Sequence, residues 1–272
     1  MSAELNAFEI DEIKKDAREK IGECRKNNDI IGTQIFSILG LYARVIYYPL
    51  GREAPWGFTR IRGQASDSTI KKPFTAINTS ITLQEQVFAA AHELYHIWYE
   101  KSPDYLPSNL LDEEKNKQEA KASRFAAEFL IDEMLLLQEM LLFDIKKITL
   151  KSILQLADIF QVPYRAMVKR LFEINKISKP ERDEFLAKTD AEIAQYQKRY
   201  GFSVGTPDNR IIADNLVDLA VKAYESNLIT FEKLEFILSQ SDLKPEDVGI
   251  CNANASLIPS DDEIDKIMEE DE

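Results

Sequence analysis

The chain has 272 residues, of which 44% are hydrophobic and 30% charged, with only 9 glycines and 10 prolines. This composition excludes a collagen-like or wholly disordered chain and is sufficient for a sizeable buried core. No apolar run approaches the roughly 18 residues of a membrane span. The first 20 residues lack the apolar segment of a signal peptide, and two cysteines are too few for a disulfide framework. We therefore expect a cytoplasmic protein without membrane contact.

The net charge of −13 is unevenly distributed along the chain. Residues 261–272 contain eight acids and one lysine, which predicts a solvated acidic tail. Residues 146–176 contain seven lysines or arginines against two acids, which predicts a local basic face. The overall acidity argues against indiscriminate nucleic-acid binding but leaves room for that local face to bind an anion.

The first third of the chain predicts two helices and then a small sheet. Apolar residues spaced three and four apart favour an amphipathic helix over 8–26 and a second helix over 31–41. Three short runs rich in β-branched and aromatic residues, bounded by Pro, Gly, Asn and Ser, predict strands at 44–48, 56–61 and 74–78. Strands in this succession favour a small antiparallel or mixed sheet.

The pattern becomes helical again at Leu83. Thr82 and Glu85 form a capping box that marks the start of this helix. It should end near residue 101, because a serine–proline pair follows and cannot continue it. A loop at 103–111 leads to another helix, which has no strong stop before Asp144.

The rest of the chain is predicted to be helical, with a turn at 161–163, a break at 179–180 and a loop at 201–209. Helices and a sheet at the front with helices behind indicate the α+β class. The predicted divisions are an α+β domain at 1–145, a helix-turn-helix-like element at 146–179, a helical domain at 180–260 and the acidic tail at 261–272.

His92, Glu93 and His96 form an H-E-x-x-H motif in the middle of the capped helix. Residues four apart project from the same face of a helix, so both imidazoles can reach one metal ion at about 2.0–2.1 Å. Glu93 lies about 100° around the helix. This is too far for comfortable ligation but suits hydrogen bonding to a water beside the metal, as in zinc peptidases.

The alternative is a pair of surface or packed histidines on an ordinary amphipathic helix. His92 and His96 are the only two histidines in the chain, so their spacing of four is a selective observation. The residues Val87, Ala91, Leu94 and Trp98 form an apolar stripe on the far side of this helix. The core therefore does not need the histidines, and we favour a metal site.

A zinc site with two histidines needs a third protein ligand and one open position. No histidine remains and both cysteines are remote, so we expect a carboxylate from the next helix. Glu119 shares a helical face with Ser123, Ala126 and Leu130, and small side chains allow a close approach between helices. Glu119 is the predicted ligand, and Glu128, which lies well off that face, is the alternative.

The stretch from 74 to 128 resembles the ImmA/IrrE family of metallo-endopeptidases. The resemblance is carried by Phe74-Thr-Ala-Ile-Asn78, Gln86-Val-Phe-Ala-Ala-Ala-His-Glu-Leu-Tyr-His96 and Glu119-x-x-Ala-x-x-Phe-Ala-Ala-Glu128. It implies a minimal zincin-like fold in which His92, His96 and Glu119 hold Zn²⁺ and Glu93 is the catalytic base.

The resemblance does not fix the substrate specificity, because the sequence departs from the family pattern near the motif. Tyr95 stands where family members usually have Gly, and we expect it to narrow the cleft. An edge strand, either 56–61 or 74–78, is expected to align the substrate by main-chain pairing. The donor that stabilises the oxyanion is undetermined among Tyr42, Tyr47, Tyr48, Tyr95 and Tyr99.

Residues 150–171 have the pattern of a helix-turn-helix, with a helix ending near Phe160 and a second one opened by Pro163. The resemblance supports its presence, because ImmA/IrrE proteins often carry such an element after the peptidase. Arg165, Lys169 and Arg170 would then lie on a recognition helix and contact nucleic acid or a partner. The alternative is a helical pair packed on the peptidase domain with solvated cations, and contact with DNA is not the favoured interpretation.

Together these patterns predict a zinc-dependent endopeptidase that cleaves a specific regulatory protein. The family resemblance implies a helix-turn-helix repressor of a mobile element or a stress response as the substrate. The competing hypothesis is a non-catalytic anti-repressor or DNA-binding regulator that keeps the metal ligands but acts by sequestration.

Overall fold

A computed structural model describes residues 5–60, 72–100, 113–213, 216–241 and 243–250 of the chain. The chain divides into two compact units, Met1–Asn209 and Arg210–Glu272. The predicted loop at 103–111, the acidic tail at 261–272 and Cys251 lie outside the described residues. Within the described residues, no helix combines the length and the apolar character that crossing a bilayer would require.

The first unit contains nine helices and three strands among its described residues. In chain order they are α1 (Ala7–Glu23), α2 (Ile35–Tyr42), β1 (Arg44–Tyr48), β2 (Gly57–Arg60), β3 (Phe74–Asn78), α3 (Leu83–Tyr99), α4 (Glu113–Leu130), α5 (Glu133–Leu142), α6 (Leu150–Phe160), α7 (Tyr164–Glu173), α8 (Lys179–Leu186) and α9 (Asp190–Tyr200). A short 3₁₀ turn, Gly32–Gln34, precedes α2. This order confirms the α+β class predicted from the sequence.

The strands of the first unit form a mixed sheet in the order β2-β3-β1. β1 runs parallel to β3, with Tyr48 opposite Asn78, and β2 runs antiparallel to it, with Gly57 opposite Ile77. β3 is therefore the central strand of the three, and its residues from Thr75 onward are buried. The runs of β-branched and aromatic residues thus predicted the three strands, and the mixed sheet is one of the two arrangements that we expected.

Helix α3 lies at the centre of the first unit, packed against the sheet, α2 and α4. The predicted capping box fixes its start, because the Thr82 backbone N–H donates to Glu85 Oε2 at 2.8 Å and the Glu85 N–H donates to Thr82 Oγ1 at 3.3 Å. Helix α4 packs in turn against α1. The side chains between these layers, such as Leu94 and Phe125, are fully buried.

The prediction of a helix without a stop from 113 to 144 is wrong, because α4 and α5 are separate helices. Asp132 opens α5, since its Oδ1 accepts hydrogen bonds from the backbone N–H groups of Met134 at 2.9 Å and Leu135 at 3.1 Å. The preceding carbonyl, that of Ile131, accepts from Arg170 Nε at 2.9 Å. A local cap and a contact from a distant residue therefore mark the break.

Helices α6 and α7 form the predicted pair, joined by a turn in which Gln161 adopts the left-handed conformation with φ 54°. The apolar residues between the two helices are buried in the same core as α1 and α3. They are Leu156, Ala157, Phe160, Val162, Met167 and Leu171. The use of this pair as a DNA-binding helix-turn-helix stays a prediction.

The second unit contains a two-residue strand, β4 (Ile212–Ala213), and the helices α10 (Leu216–Glu225) and α11 (Phe231–Ser239), followed by a 3₁₀ turn, Pro245–Val248. Ala220, Leu234 and Leu238 form its small core. Helices α8 and α9 belong to the first unit. The predicted domain boundaries stay predictions.

Candidate metal centre

The two histidines project from the same side of α3, as their spacing predicts. Their ring centroids are 4.9 Å apart. The side chain of His96 is 1% exposed, whereas that of His92 is 17% exposed. The helix therefore presents one imidazole from the interior and one beside solvent.

Helix α4 brings Glu119 to both imidazoles. Its Oε2 lies 2.9 Å from His92 Nε2, and its Oε1 lies 4.0 Å from His96 Nε2. Behind it, Ala122 and Ala126 are fully buried, as expected where two helices approach closely. One ligand atom from each of the three side chains lies within 4.8 Å of the other two.

These three side chains fit a metal ion by geometry and by chemistry. Ligands at about 2.0–2.1 Å in a tetrahedron are separated from one another by roughly 3.3 Å. The observed separations of 2.9 and 4.0 Å lie on either side of that value. Two imidazoles and one carboxylate also form a donor set that leaves a fourth position open, as catalytic zinc sites do. The three residues could therefore hold a metal.

Both imidazoles have a second partner that orients the ring. Ser123 Oγ lies 3.3 Å from His92 Nδ1, and Glu100 Oε1 lies 2.9 Å from His96 Nδ1. With Nδ1 engaged in this way, the Nε2 atoms remain directed at Glu119. Such outer partners fix the tautomer and raise the basicity of a ligating histidine. Our sequence analysis did not identify Glu100, although it lies four residues after His96 on the same helical face.

The protein environment shifts the pKa values of the centre in different directions. Burial raises the pKa of Glu119, but its hydrogen bond to His92 and the charges of both imidazoles outweigh this, so its pKa lies below the ordinary value. Burial lowers the pKa of His96, but the hydrogen bond to Glu100 and the surrounding carboxylates outweigh it and raise the pKa. The ligand carboxylate is thus favoured in its ionised form.

Glu93 is 4% exposed and lies beside the centre. Burial raises its pKa above the ordinary glutamate value, while the two histidines and a hydrogen bond with Thr59 act in the opposite direction. Its Oε2 is buried and has no hydrogen-bond partner among the described residues. Gly57 makes room for it, because a Cβ at that position would lie 3.1 Å from Glu93 Cγ and Oε1.

A cleft of about 980 Å³ opens over this centre and is lined by Glu93 and the three candidate ligands. Aromatic residues of the β2 region and α3 supply one part of its lining: Trp56, Phe58 and Phe88. Helix α7 supplies another part: Arg165, Ala166, Lys169 and Glu173. The helix that carries the three predicted contact residues thus lines the same cleft as the candidate ligands.

The tyrosines that we weighed as oxyanion donors do not line this cleft; they are Tyr42, Tyr47, Tyr48, Tyr95 and Tyr99. Tyr95 is 6% exposed and packs against Tyr99 and Phe125, with ring centroids 5.2 and 5.5 Å away. The expectation that Tyr95 narrows the cleft is therefore wrong, because its ring lies in the core.

Glu128, the alternative ligand, is not part of the group of candidate ligands. Its Oε1 pairs with Arg124 and its Oε2 with Arg170, each at 2.5 Å. Both arginines also pair with Glu173, at 3.0 Å for Arg124 and 3.5 Å for Arg170. These four residues form a largely buried cluster, called here the charge quartet, in which two cations face two carboxylates.

The three predicted contact residues of α7 have different environments. Arg170 is 1% exposed within the charge quartet, so the prediction that it contacts nucleic acid or a partner is wrong. Arg165 is about half exposed, but its guanidinium donates to the carbonyls of Leu186 and Lys188 and to Asp190. Lys169 is exposed.

Comparison with known families gives one match, over residues 43–172, to the model described as Peptidase_M78: IrrE N-terminal-like domain. This span contains the sheet, the three candidate ligands, Glu93 and helices α6 and α7. No curated protein and no solved structure matches the chain. The matched family is a family of metallopeptidases, consistent with a cleft built around two histidines and a carboxylate. Over residues 43–172, the resemblance to the ImmA/IrrE family of metallopeptidases that the sequence motifs indicated is thus confirmed by the match to this family's model.

Proposed function

We propose that this protein is a zinc-dependent endopeptidase that cleaves a specific regulatory protein. The observation that carries the proposal is the convergence of His92, His96 and Glu119, with ligand atoms within 4.8 Å of one another, beside the buried carboxylate of Glu93. Two histidines, one carboxylate and an open position match the ligand set of catalytic zinc better than that of magnesium or calcium, which prefer oxygen ligands.

Zinc held by these residues would act as a Lewis acid on the scissile carbonyl and increase the acidity of a nearby water. Glu93 moves the protons: its carboxylate accepts one from the attacking water and delivers it to the leaving amine. The hydrogen bond with Thr59 orients the Glu93 carboxylate, and the absence of a side chain at Gly57 leaves room for it.

The imidazole partners support the same assignment. Ser123 and Glu100 orient His92 and His96 so that neither ring must reorganise when a metal binds. The cleft also includes Gly57 and Phe58 of β2, which has a neighbouring strand on one side only among the described strands of its unit. An extended peptide could pair with that edge and place a carbonyl at the centre.

The nature of the substrate rests on the family resemblance. We propose a helix-turn-helix repressor that controls a mobile element or a stress response. The competing hypothesis is an anti-repressor that acts by sequestration, which requires no proton transfer by Glu93. Replacing Glu93 alone therefore distinguishes sequestration from proteolysis.

The metal is tested by elemental analysis of purified protein. We expect about one zinc per chain, lost in His92→Ala, His96→Ala and Glu119→Ala. Glu139→Ala, a carboxylate of α5 outside the cleft, is the matched control and should retain the metal. A wild-type protein without zinc after purification in zinc-containing buffer would contradict the assignment.

Cleavage is tested by adding zinc-supplied wild-type or Glu93→Gln protein to an extract of the host cell and sequencing newly formed N-termini by mass spectrometry. We expect new termini in one or a few proteins with the wild type and none with Glu93→Gln, while both hold zinc equally. If Glu93→Gln relieves repression in cells as well as the wild type does, sequestration replaces proteolysis as the explanation.

A further inference from the structure

One face of helix α7 forms part of the metal cleft. Arg165, Lys169 and Glu173 are spaced four residues apart, which places them on the same side of the helix, and all three line the cleft. Ala166 lies among them and also lines it. This face is therefore directed at whatever occupies the cleft.

The charges on this face are not equally available to a ligand. Arg165 Nη1 donates to the Leu186 carbonyl at 2.8 Å, and its Nη2 lies 3.0 Å from Asp190 Oδ1, so this guanidinium connects α7 to the end of α8 and the start of α9. Glu173 is held by Arg124 and Arg170 within the charge quartet. Both groups are already engaged inside the protein.

Lys169 is the remaining charge on this face. It is exposed and makes no ion pair with the residues that the structure describes. The carboxylate four residues away, Glu173, is occupied by two arginines at 3.0 and 3.5 Å. The ammonium of Lys169 is therefore free to pair with a group brought by a ligand.

Another part of the cleft lining carries no charge. It consists of aromatic rings, with Trp56 and Phe88 in an edge-to-face contact at 6.4 Å between centroids. A peptide in the cleft thus meets a cation on α7 and apolar rings at β2 and α3. Because the whole chain carries a net charge of −13, its long-range field does not attract acidic peptides, and any preference for a carboxylate must be local.

We propose that Lys169 is a specificity-determining residue that selects substrate segments with an aspartate or glutamate flanking the scissile bond. The proposal rests on the proposed function in that it takes the cleft to be a peptide-binding site. It assigns the exposed cation of α7 to peptide recognition instead of DNA recognition.

Binding to protein that cannot cleave tests this directly. The probes are fluorescein-labelled nonapeptide libraries in which one position is Glu, Gln or Lys and the others are mixtures of neutral residues. Their affinities for zinc-supplied Glu93→Gln protein are measured by fluorescence anisotropy. We expect the Glu library to bind about two- to five-fold more tightly than the Gln library at one position, as for a partly exposed ion pair, and the Lys library to bind least.

Two further variants in the same background locate the effect. Lys169→Gln should abolish the preference, and Lys169→Glu should reverse it in favour of the Lys library. Lys146→Glu makes the same charge change at a lysine that is 83% exposed and outside the cleft, and it should leave the order unchanged. Circular dichroism checks that each variant is folded.

The outcomes separate this inference from the proposed function. Cleavage of host proteins by the wild type without any Glu preference, or with a preference that Lys169→Glu leaves intact, would overturn the inference and leave the peptidase standing. A Glu preference that reverses in Lys169→Glu supports the inference even if the wild type cleaves nothing. If the protein binds a 20-base-pair DNA duplex, loses that binding in Lys169→Glu and shows no peptide preference, then α7 recognises DNA and the inference is overturned.

Discussion

Replacement of Arg170 by methionine should destabilise the first unit strongly, although the sequence pattern placed this residue on an exposed basic face. Its guanidinium is 1% exposed, pairs with Glu128 at 2.5 Å and Glu173 at 3.5 Å, and donates from Nε to the Ile131 carbonyl at 2.9 Å. Removing one member of a buried ion pair costs about 3–5 kcal/mol, because the remaining charge is left uncompensated.

The size of this loss of stability follows from the groups that lose their partner when Arg170 is replaced. In Arg170→Met, Arg124 alone must compensate both Glu128 and Glu173, so one carboxylate charge in the cluster is unbalanced. The Ile131 carbonyl also loses a buried donor, which by itself costs about 1–3 kcal/mol. Since Arg124 still contacts both carboxylates and methionine fills part of the space, we expect a total near the lower end, about 3 kcal/mol.

The assay is urea unfolding followed by tryptophan fluorescence. Both tryptophans of the chain, Trp56 and Trp98, lie in the first unit, so the signal reports that unit. With a slope of about 3 kcal/mol per molar urea, the midpoint should fall by about 1 M. Lys146→Met removes an exposed pair with Asp144 and should shift it by no more than about 0.3 M. An equal shift in Arg170→Met and Lys146→Met would refute the reasoning.

Three further outcomes follow from the structure. Gly57→Ala should lower turnover while zinc content and folding persist, because the new Cβ would crowd the proposed base Glu93. The control Gly40→Ala has open space around it, so it should keep full turnover and stabilise α2 by up to about 1 kcal/mol. Equal activity in the two variants would contradict this. The Lys117 ammonium and the helix cap lower the pKa of Glu9 to about 2. The stability advantage of wild type over Glu9→Gln should therefore be complete above about pH 4.5 and vanish as the pH falls towards 2. A difference in urea midpoint that does not depend on pH would count against this. Asp132→Ala should cost about 0.5–2 kcal/mol by removing the cap of α5, measured in the same urea experiment, and a change within error would show that the cap is dispensable.

The features that sequence analysis predicted well depend on residues close together in the chain. The H-E-x-x-H motif places His92 and His96 on one face because a helix repeats every 3.6 residues, and the capping box at Thr82 marks where that helix begins. The strands were predicted from their own composition. The prediction of Glu119 needed further evidence, namely the small side chains of a second helix and the family resemblance. Glu119 lies 23 residues after His96, and no local rule states which distant carboxylate reaches the histidines.

The sequence by itself determined the helix that carries the motif, the class of fold and two of the three candidate ligands, because periodicity, capping and donor type are local properties. Only the tertiary structure decided that Glu128 and Arg170 pair with each other across 42 residues, that Tyr95 is in the core and that α7 faces the cleft. Burial of a charge depends on partners that arrive from distant segments. A basic stretch therefore looks the same in sequence whether its cations are solvated, face a ligand or lie in the interior.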